Sequence, residues 1–248
     1  MSTNRIFALA QRWASPITLI TLLAGTSFIA TAQTLPDADA VIQRYIKACG
    51  GQAAIDKVQD MSFSMKADTP NGLAVIDVDA KQGHKFSQVI YMGGTEVSRT
   101  ISDGSKVSTI RGGKVISSNE GPAALRQLLS SSLFGEQFYA QYNVIRRVLA
   151  QESLNDRDTY KVEFSTGNGE KWHDWYDTET GLRLQRTLFY RTANGLATST
   201  TKFSNYKPIN GVVFPFTRSQ TFGTIDATLA ISTIKMNRGL NDKTFKIP

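Results

Sequence analysis

The chain has 248 residues and a formal charge of +7, from 28 Lys and Arg against 21 Asp and Glu, with 2 His and 1 Cys. A single cysteine, Cys49, excludes an internal disulfide and any Cys-x-x-Cys metal site. The basic residues are scattered, Arg146-Arg147 being the one adjacent pair, so no clustered patch with interleaved aromatics suggests a nucleic acid partner. The mild positive excess favours transient contact with an anionic membrane surface, as a long-range bias only.

Arg5 and Arg12 precede a short apolar run, Ile17 to Ala30, and Ala30-Thr31-Ala32 has the small-x-small form of a cleavage site. This pattern predicts a secretory signal peptide over residues 1–32, cut after Ala32, and one periplasmic domain over 33–248. Losing two arginines takes the charge of +7 to +5 for that domain. Next, Asp37 or Asp39 can cap a helix whose face carries Val41, Ile42, Tyr45, Ile46 and Cys49. Gly50-Gly51 breaks it, and a further turn carries Ala54, Ile55 and Val58. From Met61 the apolar period becomes two. Met61, Phe63, Met65 and Ala67 alternate with Ser62, Ser64, Lys66 and Asp68, and Pro70-Asn71-Gly72 reads as a turn.

Strands are expected over 73–80, 84–92 and 95–102, followed by hairpin turns at Ser102-Asp103-Gly104-Ser105 and Arg111-Gly112-Gly113-Lys114. The period then changes. Pro122 suits a first helical turn, and Leu125, Leu128, Leu129 and Leu133 follow at helical spacing, predicting a helix over 122–134. Gly121 and Gly135 flank it. Alternation returns at Tyr160, Val162 and Phe164, and again at Leu182, Leu184, Leu188 and Tyr190. It returns last at Ile225, Ala227, Leu229 and Ile231, before Ile234 and Met236 change phase as at a β-bulge. The sum is a mainly β (α+β) chain: about ten or eleven strands in one strongly curved antiparallel sheet, an incomplete barrel around an N-terminal helix and a mid-chain helical lid or plug.

The segment Lys171-Trp172-His173-Asp174-Trp175-Tyr176-Asp177 tests for catalysis. On a strand, Trp172, Asp174 and Tyr176 share one face while Lys171, His173 and Trp175 share the other, so His173 and Asp174 form no local acid–base pair. Asp177 to Gly181 reads as a turn, making the stretch a hairpin. The other histidine, His84, lies on a distant strand. No nucleophile elbow, His-Glu-x-x-His or phosphate-cradling glycine loop is present, so neither an enzyme nor a metal or cofactor site is expected.

Several stretches in order resemble the LolA-like superfamily, which includes the periplasmic lipoprotein carrier and its outer-membrane receptor. They are VIQRYIKACGGQAAIDKVQDM (41–61), SDGSKVSTIRGGKV (102–115), WYDTETGLRLQ (175–185), FSNYKPINGVVFPF (203–216) and ISTIKMNRGLNDKTFKIP (231–248). The resemblance implies an incomplete antiparallel barrel around helical lids, with an apolar inner face that shelters acyl chains. It does not choose among Arg44, Arg99 and Arg126 for the carrier's lid-holding arginine.

The expected function is therefore binding or carrying a lipid, acylated protein or other apolar ligand, by a protein that is a monomer. The apolar-cavity candidates are Met61, Phe63, Met65, Phe86, Ile90, Tyr160, Phe164, Leu182, Leu184 and Leu188; the lid candidates are Leu125, Leu128, Leu129 and Leu133. The alternative is an envelope interaction or sensor module whose core is filled. Because His173 faces away from the apolar side of its hairpin, His173→Ala is expected to leave ligand binding unchanged in a titration against the unsubstituted protein.

Overall fold

The computed structural model describes residues 34–69, 72–192, 195–222 and 225–248. The expected leader (1–32) and the first two residues of the Pro70-Asn71-Gly72 turn lie outside the described residues. Leu35–Pro248 is one compact unit. Two helices open it, α1 (Ala38–Ala48) and the single turn α2 (Gln52–Ile55). Six strands follow: β1 (Asp60–Thr69), β2 (Gly72–Lys81), β3 (Lys85–Met92), β4 (Thr95–Asp103), β5 (Lys106–Arg111) and β6 (Lys114–Glu120). Next come α3 (Pro122–Ser131) and a 3-10 turn, Gly135–Phe138. The remaining strands are β7 (Ile145–Leu154), β8 (Arg157–Ser165), β9 (Lys171–Asp177), β10 (Arg183–Thr192), β11 (Gly195–Ile209), β12 (Val212–Phe222) and β13 (Ile225–Met236).

All thirteen strands lie in one antiparallel sheet, in the order β6-β5-β4-β3-β2-β1-β13-β12-β11-β10-β9-β8-β7. Paired strands are consecutive in sequence except at one junction, where β1 pairs with β13. The chain thus meanders outward to β6, crosses through α3 to the far edge, and meanders back to the start. β6 and β7 are the two edges and do not pair with each other, so the curved sheet is an incomplete barrel. The β7 edge is blunted by the adjacent charges of Arg146 and Arg147, whereas every residue of β6 is exposed.

The expectation of about ten or eleven strands is two or three short of the thirteen in the sheet. The extra strands come from segments without apolar alternation. β7 (IRRVLAQESL) is an edge strand interrupted by a register shift between Val148 and Ala150, and β11 is dominated by Ser, Thr and Lys. The phase change expected near Ile234 is a bulge: Ser64 pairs with Thr233 but Met65 with Ile231, leaving Ser232 extra.

α1 lies on the sheet's inner face with Val41, Ile42, Tyr45 and Ile46 buried, and the Tyr45 ring sits 5.3 Å from that of Tyr176 on β9. Asp37 caps it, accepting from the Asp39 amide at 2.8 Å. Towards the far edge the core is aromatic: Phe164 and Trp172 stack at 5.2 Å, with Tyr139 5.0 Å from Phe164. At the seam between β1 and β13 the buried Asp60 carboxylate accepts the amides of Arg238, Gly239 and Leu240 at 2.8, 2.9 and 3.1 Å, which ties the chain's end to its first strand.

Helix α1 ends where the Cys49 carbonyl accepts from the Val213 amide at 2.9 Å, so Gly50 lies against the β11–β12 turn. Gly50 has φ +112°, and a Cβ there would stand 2.2 Å from the Gly211 carbonyl oxygen. Backbone strain and overlap coincide. Gly50→Ala is expected to cost about 2 kcal/mol or more, read as a lower urea midpoint with an unchanged slope.

Candidate functional site

Between α3 and the inner face of the sheet lies a cavity of about 130 Å³. Met61, Phe63, Val78, Phe86, Leu129, Leu133, Phe134 and Phe214 give it apolar walls, while Glu136, Arg183, Arg186 and Arg218 line its charged end. Ser130, Ser131 and Gln88 are also in its lining, and Ser130 is exposed. Strand alternation places the apolar walls: Met61 and Phe63 are two apart on β1, and Val78 and Ala80 two apart on β2.

The charged end depends on an irregularity. Arg183 pairs with Tyr176 and Gln185 with Trp175, so β10 carries one extra residue at Leu184. Side chains three apart on an unbroken strand point to opposite faces; the bulge lets Arg183 and Arg186 both turn inward, and both are buried. Arg186 makes a two-pronged bond to Asp174, Nε to Oδ1 and Nη2 to Oδ2, each at 2.7 Å. Its Nη2 also reaches Glu136 at 3.1 Å and the Tyr139 hydroxyl at 3.0 Å. Arg183 donates to Glu136 and lies 3.6 Å from Asp174, with its guanidinium over the rings of Phe203 and Tyr45. The Tyr176 hydroxyl donates to Asp174 at 3.0 Å, and the Tyr206 hydroxyl to the Arg183 carbonyl at 2.6 Å. Burial opposes the charge on Asp174, but Arg186, then Arg183 and the Tyr176 hydroxyl, hold its carboxyl below the ordinary 3.8.

Arg218, on β12, stands apart. It is partly exposed and lines the cavity; its guanidinium sits 5.3 Å from the Phe63 ring centre and 5.5 Å from that of Phe214. Its Nε is buried without a hydrogen-bond partner, as is that of Arg183. Burial, then the neighbouring Arg183, push the Arg218 guanidinium down to about 10, so it is still charged at neutral pH.

Helix α3 roofs the cavity and is held at both ends. At its start, Arg126 pairs with Glu170 at 3.0 Å and Asn168 donates to the Pro122 carbonyl at 2.9 Å. At its end, Gly135 is packed so closely that a Cβ would stand 1.9 Å from the Leu129 carbonyl oxygen. There too the Ser132 hydroxyl donates to the Leu128 carbonyl at 2.5 Å, so His84 Nδ1 donates to Ser132 Oγ at 2.6 Å and Nε2 accepts from the Tyr142 hydroxyl at 2.9 Å. That assignment makes His84 neutral, and burial holds its pKa below 6.5. A larger, more open cleft of about 730 Å³ flanks the other side of α3, with Leu125, Leu128 and Tyr142 in its wall.

The structure distributes the residues singled out from the sequence unevenly. Met61, Phe63 and Phe86 line the cavity, and so do Leu129 and Leu133 of the predicted 122–134 helix, whose α-helical part ends at Ser131. Leu125 and Leu128 face the outer cleft. Met65 and Phe164 are buried in the core, with Tyr160, Leu182 and Leu188 partly buried against it. Ile90 is partly buried, and Leu184 is the bulged residue. His173 pairs with Glu163 at 3.3 Å, across the strand from the Asp174 network. Arg44 bonds the Glu179 carbonyl and Arg99 pairs with Glu96, so Arg126 is the one of those three arginines that touches α3's surroundings through Glu170. Among the described residues no helix is long and apolar enough to cross a membrane, and no group of three or more His, Cys, Asp or Glu is placed to hold a metal.

A crystallised LolA superfamily protein from Nitrosomonas europaea superposes with a TM-score of 0.57 at 15% identity, over 86% of this chain and 99% of that one. The chain has a LolA-like fold. A DUF1329-family protein from Desulfovibrio piger matches with a TM-score of 0.55 at 14% identity, over 84% of this chain and 97% of that one. A domain from Vibrio parahaemolyticus named for outer membrane lipoprotein sorting matches with 0.52 at 16%, over 84% and 97%. No family model and no curated protein matches the sequence.

The charge network and His84 give separate acid sensitivities. His84 has a lowered pKa when folded, so below about pH 6.5 the unfolded chain binds the extra proton first and stability falls. Asp174, also lowered, supplies stability above 3.8 that is lost as pH falls through its folded value. The unfolding free energy is expected to drop in two steps, the upper one absent in His84→Gln. Asp174→Asn, which leaves buried Arg183 and Arg186 with Glu136 alone as counter-charge, is expected to cost about 3–5 kcal/mol by urea denaturation at neutral pH.

Proposed function

We propose that this is an exported periplasmic protein, processed after Ala32, that binds or carries a lipid, an acylated protein or another apolar ligand beneath helix α3. The observation that carries the reading is the cavity, with apolar walls and one charged end, between α3 and the inner face of a LolA-like sheet. Its 130 Å³ is close to that of an engineered apolar cavity that admits benzene, about 150 Å³. It therefore takes the end of a chain when closed and a whole acyl chain only when α3 moves. The space on both flanks of α3 supports such a motion. Its start is the weaker attachment: a partly exposed ion pair, one hydrogen bond and the Arg126 guanidinium 5.1 Å from the Tyr190 ring centre, against packing and the His84 latch at its end. The helix thus opens at its start and turns about its anchored end, near Ser132 and Gly135. No residue is assigned a catalytic role in this reading.

A second reading, a platform for a protein partner with the core permanently filled, is favoured by the edge strand β6. It is exposed throughout, with Val115 and Ile116 46% and 52% exposed. An extended peptide adds to such an edge by backbone pairing.

Native mass spectrometry of the protein purified without detergent, with organic extraction of the same sample, separates the two. A stoichiometric lipid or acylated peptide is expected. A clean apo mass that stays unchanged after incubation with lipid vesicles moves the assignment to the platform. Val78→Phe fills the cavity from its wall and is expected to lower retained lipid at least tenfold while leaving the melting temperature within a few degrees. Full retention by the folded variant places the ligand elsewhere.

A further inference from the structure

The interior under α3 holds three arginines, Arg183, Arg186 and Arg218, but two carboxylates, Glu136 and Asp174, a surplus of one positive charge. Both carboxylates are already engaged by Arg183 and Arg186. Arg218 makes no ion pair and donates no side-chain hydrogen bond to any described residue; two aromatic faces are its company. Such contacts recover only part of the hydration that a guanidinium gives up where it is buried. A cation beside apolar cavity walls, with its Nε sealed from water and unpartnered, lacks an anion.

We propose that the cavity takes an anionic amphiphile head first: an unbranched apolar chain ending in a carboxylate or a phosphate monoester, with the anion against Arg218. The chain leaves along Met61, Phe63, Phe86 and Leu129 towards the exposed Ser130. This inference rests on the ligand-binding reading above and adds the charge and direction of the ligand. A guanidinium offers its fork to carboxylate and phosphate alike, so the two headgroup chemistries share one site. Neutral amphiphiles of the same length leave Arg218 unpaired, and cationic ones meet like charge.

Calorimetric titration of the purified, delipidated protein with dodecanoate, dodecyl phosphate, dodecanol and dodecyltrimethylammonium, each below its micelle concentration, tests this. At least one of the two anions is expected to bind tenfold or more tightly than dodecanol, with no binding of the ammonium. Whichever anion is tighter identifies the headgroup chemistry. Arg218→Met is expected to lower anion affinity to that of dodecanol, and Arg218→Lys to recover part of the difference. Without ligand, Arg218→Met is also expected to raise the melting temperature, which shows that it folds. Equal affinity for dodecanol and the anions, or unchanged anion binding in Arg218→Met, overturns the inference and leaves the apolar carrier intact. Failure of all four probes to bind overturns both.

Discussion

The buried pairing of Asp174 and Glu136 with Arg183 and Arg186 is the interaction on which the rest of the interior depends. Charges taken out of water stabilise a fold only when each is answered, and a half-answered set is worse than an apolar core. The four residues come from three places: Asp174 from β9, the arginines from β10, and Glu136 from the 3-10 turn in the crossing between the sheet's two halves. The two strands supply a surplus of positive charge that only the crossing segment relieves. This segment is therefore more than an apolar cap. It is fastened at one end by charge, and α3, immediately before it, inherits a fixed end and a freer one.

The topology makes the same demand from another direction. Two meanders, β1–β6 and β7–β13, are sewn together at the single β1–β13 junction. Nothing in the ladder closes the gap between β6 and β7, so the inner face needs α1, α3 and the 3-10 turn to keep water out. Gly50 and the Asp60 carboxylate work at that seam, one by letting α1 end flush against the β11–β12 turn, the other by anchoring Arg238 to Leu240. Pairing the first strand with the last demands contacts of long sequence separation, whose loop-closure entropy the seam must offset.

Much of this was legible in the sequence. The helix from Val41 to Cys49, the two-residue alternation from Met61 onward, the helical leucines after Pro122 and the hairpin around Asp177 all have periods or turn residues that few alternative structures share. The ordered resemblance to a LolA-like chain agreed with them. β7 and β11 were not legible, because an edge strand needs no apolar face and a polar strand hides its period. The charged end of the cavity was hidden for a sharper reason. Leu182, Leu184, Leu188 and Tyr190 give an apolar alternation, interrupted by Arg186, that assigns Arg183 outward, yet the bulge at Leu184 turns it in. A bulge is set by pairing across the sheet, and one strand's own residues do not announce it. A faint signal did exist: Asp174 sits on the same face as Trp172 and Tyr176, and a carboxylate among buried aromatics requires a cation from a neighbouring strand.

Arg218 is the residue that a folding argument alone does not explain. Arg183 and Arg186 are answered by carboxylates; Arg218 faces the cavity with rings beside it and no counter-charge. A methionine or leucine would fill the same space, remove the desolvation cost and pack against Phe63 and Phe214, so the local rules of core packing are broken here without a structural return. Sequences break such rules mainly where the interior must do something besides fold. The surplus charge, the unfilled volume beside it and the helix with one loosened end stand within a single cavity. Together they describe an interior that is complete only when something negative and partly apolar has entered it.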